Sequence, residues 1–182
     1  MNSKLKINDI IYAALFAALT SVLGYVSIPL PFSPVPITGQ TLGVMLAGCI
    51  LNPLQAFLSM LTFVLLGIAG APVFSGGRAG FNIIAGPSGG YIVGFIIGAV
   101  VISYLKGKNP NTLKMTLATI VGGIIVIYFI GGLWLNHVTQ MGLYKSVIAG
   151  ALPFIPGDLL KAFIAVSIGK RVSKAINNKV AA

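Results

Sequence analysis

The chain has 182 residues, 57% of them hydrophobic and only 8% charged, with a mean hydropathy of +0.99. A soluble domain carries about 25% charged residues, so a water-soluble globular domain is excluded and most of the exterior must face lipid. The net charge of +10 comes from twelve Lys and Arg against two acids, Asp9 and Asp158; the bases sit at the ends of apolar runs and in loops, a layout that argues against nucleic-acid binding and for marking one side of a membrane.

About 20 helical residues cross a hydrocarbon core of about 30 Å. The first run that qualifies, Asp9–Ile28, follows Lys4 and Lys6 and reads as a retained helix rather than a cleaved signal, because further spans come after it. It carries Ala13/Ala17 and Ala14/Ala18. Small residues four apart let helices approach closely in lipid, either within the chain or against a partner helix. The segment Pro29–Gln40 is irregular and stiffened by Pro29, Pro31, Pro34 and Pro36. A short second helix is expected over Thr41–Leu51 and a third over Pro53–Ala71, split by Asn52-Pro53. The glycine-rich stretch Ala71–Tyr91 is read as a loop. The fourth helix is expected over Gly89–Leu105, the fifth over Leu113–Leu135, a short one over Tyr144–Leu152 and the last over Gly157–Val172. The expected fold is an all-α bundle of about six transmembrane helices in a single domain, residues 1–182, with no internal repeat.

Orientation follows from the bases. With six crossings and the N-terminus inside, the inner segments hold Lys4, Lys6, Lys106, Lys108, Lys114, Lys170, Arg171, Lys174 and Lys179, and the outer loops hold Arg78 and Lys145. An odd helix count would destroy this bias, so it predicts both chain ends inside. All three irregular segments, Pro29–Gln40, Ala71–Tyr91 and His137–Gly157, then lie outside. Irregular backbone near membrane depth persists where protein or a water-filled cavity satisfies it, which predicts a loop-capped pocket open to the exterior.

Asp158 and Lys161 are the leading site candidates. They sit three apart, on one helix face, and ionisable groups within a membrane segment usually face the interior and serve function. A second reading is compatible: Asp158 follows Pro156-Gly157 and caps the helix start, with Lys161 pairing to it. Thr38, Gln40 and Thr41 place hydroxyl and amide groups at the mouth of the second helix, as caps or as part of a stiff lid. Arg78, in Gly76-Gly77-Arg78, either attracts an anion or sits in solvent. Tyr91, Phe81 and Trp134 are apolar walls or lipid-interface anchors. The glycines do not have Walker spacing, so the chain is not expected to bind ATP. Cys49 is the sole cysteine and His137 the sole histidine, which leaves little material for a metal site, and two acids in all argue against an enzyme.

Three segments in order, Pro34-Val35-Pro36-Ile37-Thr38-Gly39-Gln40-Thr41, Gly86-Pro87-Ser88-Gly89-Gly90-Tyr91 and Pro156-Gly157-Asp158-Leu159-Leu160-Lys161, resemble the BioY family, the biotin-specific S components of energy-coupling factor transporters. The resemblance spans nearly the whole chain. Gly39 stands where a larger apolar residue is usual and Ser88 where Thr is expected; neither change removes a polar group the ligand needs. The resemblance implies a six-helix bundle in the bacterial cell membrane, with biotin held near the outer face as transported substrate and no cofactor. It implies ligand contacts from Asp158, Lys161, Asn82, Tyr91, Gln40, Thr38 and Arg78. It also implies a transmembrane coupling subunit and a pair of ATPase subunits as partners, docked through Ala13 and Ala17. An S component for thiamine or riboflavin, and a ligand-free membrane scaffold, are the rival readings.

Overall fold

The computed structural model describes residues 6–108 and 110–180, with side chains through residue 172. Lys4 and the side chains of Lys174 and Lys179 lie outside the described residues. Helix α1 (Ile7–Leu23) begins at Lys6, whose backbone N–H donates to the Asp9 carboxylate at 3.0 Å. The other oxygen of the Asp9 carboxylate accepts from Gln55 Nε2 at 2.8 Å, tying the start of α1 to the segment that begins at Pro53. The helix stops at Gly24, short of the expected Ile28. Beyond it the chain is extended, because residues before proline are driven out of the α region and prolines punctuate this stretch.

That stretch corrects the all-α expectation. Strand β1 (Ser27–Leu30) pairs antiparallel with β2 (Ser33–Thr38), with Ser27 opposite Thr38 and Ile28 opposite Ile37. A proline has no N–H to donate, so a two-stranded hairpin, which is all edge, tolerates prolines that a central strand would not.

Helix α2 (Gln40–Ile50) is buried on nearly every face, with Val44, Met45, Ala47 and Cys49 wholly inaccessible. It packs against α1 and against the helices that span Gly89–Lys106 and Ile155–Val180. A helix apolar all round belongs in a core, and glycines let it sit there: a Cβ at Gly43 would lie 2.6 Å from Thr20 Oγ1, and one at Gly48 2.5 Å from Ile102 Cβ. At 1.5 Å per residue, its 11 residues reach about 17 Å. The Leu51 carbonyl just beyond it accepts from Ser103 Oγ at 2.6 Å and from Lys106 Nζ at 2.7 Å. Lys106, expected as a marker of the inner surface, is therefore also a buried cap for a helix end.

Asn52 and Gln55 form a reciprocal capping box that opens α3 (Pro53–Ile68), with Pro53 at the first turn. The following loop is partly ordered into a one-turn 3-10 segment at Ser75–Gly77 and a short helix α4 (Phe81–Ala85), which sequence reasoning read as loop. Helix α5 (Gly89–Lys106) follows. Next comes a single rod built from α6 (Thr112–Ile120), a π turn (Val121–Val126) and α7 (Ile127–Thr139). The chain closes with α8 (Leu143–Gly150), a 3-10 turn at Leu152–Phe154 and α9 (Ile155–Val180).

Three helical stretches, Gly89–Lys106, Thr112–Thr139 and Leu143–Val172, are long and apolar enough to cross a membrane, and α1, α2 and α3 are shorter apolar helices. The outer surface carries Leu15, Phe129, Leu160 and Phe163 at 59 to 71% exposure. Water does not tolerate such a surface on a monomer; lipid does.

Candidate functional site

The start of α2, the start of α5, the start of α7 and the start of α9 converge beneath the hairpin. They line one cavity with Thr38, Gln40, Thr41, Tyr91, Tyr128, Asp158 and Lys161, between apolar walls that include Val35, Ile92, Phe95, Ile127 and Phe154. A concave apolar chamber with a few convergent polar groups is the ordinary form of a small-molecule site.

Asp158 is 2% exposed. Its Oδ1 accepts from Thr41 Oγ1 at 2.8 Å and from Lys161 Nζ at 2.7 Å, and its Oδ2 accepts from Tyr128 OH at 2.6 Å. The helix-cap reading of Asp158 therefore gives way: among the described residues its partners are side chains of α2, α7 and α9. A buried carboxylate is tolerable only when paired and hydrogen-bonded, and this one is both. Lys161 also donates to the Thr38 carbonyl at 2.7 Å and to Thr41 Oγ1 at 2.9 Å. Its three protons thus reach three acceptors, one of them the last residue of the hairpin. The π turn just before Tyr128 shifts that helix face relative to a regular α-helix, and Tyr128 lies on the shifted side.

Gln40 and Tyr91 line the cavity while also bracing its walls. Gln40 Nε2 donates to the Val73 carbonyl at 3.0 Å, and Tyr91 OH donates to the Gly150 carbonyl at 2.7 Å. Thr38 is half-buried at the hairpin's end. Two expected contacts stand apart. Arg78 is exposed and donates from Nε to the Ser75 carbonyl at 3.0 Å, beside a separate outer groove. Asn82 is exposed on α4, although its neighbour Ile83 reaches the cavity. Phe81 and Trp134 line a different surface hollow with His137.

Ala13 and Ala17 are 4% and 1% exposed, turned into the chain's own core. This corrects their expected role: a partner helix cannot meet side chains that the chain already covers. Ala14 and Ala18 face outward on the same helix. Among the partners of Asp158, sequence reasoning missed Tyr128, whose only signal was a hydroxyl placed mid-run in an otherwise apolar helix. The cavity-lining Phe95 and Phe154 were missed too, as ordinary members of apolar runs.

The family model described as BioY family matches residues 1–178. A relative named "Biotin transporter BioY" from Rhizobium etli is 42% identical over 173 residues, covering 90% of this chain and 92% of that one. Another of the same name from Lactococcus lactis is 33% identical over 180 residues, covering 96% and 95%. A crystal structure described as the S-component for biotin from an ECF-type ABC transporter superposes with a TM-score of 0.87 at 33% identity, over 96% of this chain and 95% of that chain.

Proposed function

The chain belongs to the BioY family, and from that premise we propose that it is the S component of a bacterial ECF-type importer, capturing biotin outside the cell beneath the β1–β2 hairpin. It acts as a transporter component and not an enzyme. The observation that carries the reading is the Asp158–Lys161 pair, buried in the one chamber where α2, α5, α7 and α9 meet under that hairpin.

The chemistry of biotin suits the chamber. Its ureido ring offers two N–H donors and a carbonyl, its thioether ring is apolar, and its tail ends in a carboxylate. An ionised carboxyl group has about four lone-pair positions. Oδ1 of Asp158 uses two and Oδ2 one, so Oδ2 retains room for a ureido N–H in a charge-assisted bond. Lys161 donates to a ligand oxygen by exchanging its bond to the Thr38 carbonyl, which links occupancy of the chamber to the hairpin above it. Tyr91, Phe95 and Phe154 hold the ring system. Gln40 and Thr38 complete the polar rim, and Arg78 and Asn82 join it when the outer loops close.

We read the chain as a single transmembrane domain with six crossings and both ends in the cytoplasm. The basic residues support this sidedness, and helix α2 makes the second crossing together with the extended chain leading into it. The coupling subunit meets the outward face of α1 around Ala14 and Ala18, and a pair of ATPase subunits drives release to the interior. Calorimetry on the purified, detergent-solubilised protein tests the substrate: biotin binds saturably at one site, and thiamine and riboflavin do not. Folded protein that takes up no biotin contradicts the proposal.

A further inference from the structure

A second concavity lies on the lipid-facing side of the bundle, between α6 and α9. Its walls are Ile120, Leu159, Phe163 and Val166, and at one end stand Lys170 and Arg171. Met115 of α6 lies against Gly169 of α9, so Thr112 and the two cations share the same end of the groove. At 1.5 Å per residue, that end is about 18 Å along α9 from Asp158, toward the cytoplasmic end of the helix in the orientation proposed above.

The two hydroxyls of the apolar stretch ask nothing of a ligand. Thr116 Oγ1 donates to the Thr112 carbonyl at 2.9 Å, and Ser167 Oγ to the Phe163 carbonyl at 2.8 Å. Such a wall is dry in character and accepts hydrocarbon. The cations are different. The chain has only two acidic side chains, and both are engaged elsewhere: Asp158 in the chamber and Asp9 with Lys6 and Gln55 at the start of α1. No acidic side chain of this protein remains to neutralise Lys170 and Arg171. Both are exposed at the end where Lys108 and Lys114 are also exposed.

We propose that the α6–α9 groove seats one anionic glycerophospholipid of the cytoplasmic leaflet, an acyl chain lying along Leu159, Phe163 and Val166 and the headgroup phosphate resting between Lys170 and Arg171. An apolar trough with a cationic end matches the two halves of such a lipid, and basic pockets between transmembrane helices on the inner side favour anionic headgroups. The inference rests on the membrane reading and the sidedness above, but not on biotin as substrate.

Native mass spectrometry of the full chain tests it, with dioleoyl-phosphatidylglycerol and dioleoyl-phosphatidylcholine supplied at equal mole fraction in mixed micelles. The wild type retains phosphatidylglycerol over phosphatidylcholine by about thirtyfold, as two cations facing a net anionic rather than a zwitterionic headgroup imply. The K170Q/R171Q variant loses that preference, and Thr116→Phe, which fills the groove without changing charge, lowers retention of both lipids. The K108Q/K114Q variant, with the same loss of charge outside the groove, keeps the preference within about twofold. An unchanged melting profile shows that each variant is folded. Equal losses in the two double variants would reduce the effect to diffuse attraction and overturn the site. So would equal retention of the two lipids by the wild type. If K170Q/R171Q keeps its lipid but no longer captures the coupling subunit, the groove belongs to a protein partner and the proposal fails.

Discussion

Tyr128 hydroxyl is the only partner of Asp158 Oδ2 among the described residues. A hydrogen bond to a buried charge contributes about 1.5–3 kcal/mol, so Tyr128→Phe lowers thermal stability in detergent by about that amount. It also weakens biotin binding, because the carboxylate loses the contact that fixes its plane. Unchanged melting and affinity would remove Tyr128 from the site. Much of this site was legible in the residues alone. Two acids in a chain so apolar cannot both be incidental, and spacing put Lys161 on the same face as Asp158. Tyr128 was not legible, because a tyrosine in an apolar run reads equally well as packing. Its role depends on a π turn that no hydrophobic period announces.

At the scale of elements, glycine governs how closely helices approach. A Cβ on Gly98 would lie 2.5 Å from the Gly122 carbonyl oxygen, and one on Gly122 would lie 2.6 Å from the Gly98 oxygen, so α5 and the π turn meet backbone to backbone. Gly98→Ala forces them apart and costs about 1–3 kcal/mol of overpacking. Gly132 on α7 has open space around its would-be Cβ, so Gly132→Ala is neutral or stabilising by up to about 1 kcal/mol, from helix propensity. Thermal unfolding of the two variants in one detergent checks the contrast, and equal behaviour would refute it. Apolar length located every long helix. The hairpin and α4 escaped because prolines and glycines mark breaks without saying what backbone fills them. Helix ends shifted by a few residues, as at α1, which starts at Ile7 rather than Asp9 because the Asp9 carboxylate accepts from the Lys6 N–H and acts inside the first turn.

For the whole molecule, sidedness and docking are the tests. Lys145→Cys should react with an impermeant maleimide in intact cells, and Lys108→Cys only after the membrane is opened; both sites are exposed and native Cys49 is buried. The reverse pattern would invert the topology. Ala14→Trp and Ala18→Trp should leave biotin binding intact and abolish ATP-dependent uptake, since a bulky side chain blocks close helix approach in lipid. Normal uptake by both would remove α1 as the docking face. Ala13→Trp is a different experiment, because that side chain enters the chain's own core. The alanine periodicity was plain in the sequence, but it appears on two adjacent faces, and only the packing of α1 on α2 and α3 decides which one is free.

The central claim is that the Asp158–Lys161 pair holds biotin. It is tested most directly by calorimetric titration of biotin into folded wild type and Asp158→Asn, which keeps the shape of the side chain and removes its charge. The account predicts tight binding by the wild type and a loss of at least about tenfold in the variant, about 1.4 kcal/mol. Equal affinity in the two proteins would contradict it and leave Asp158 as a strut between α2, α7 and α9.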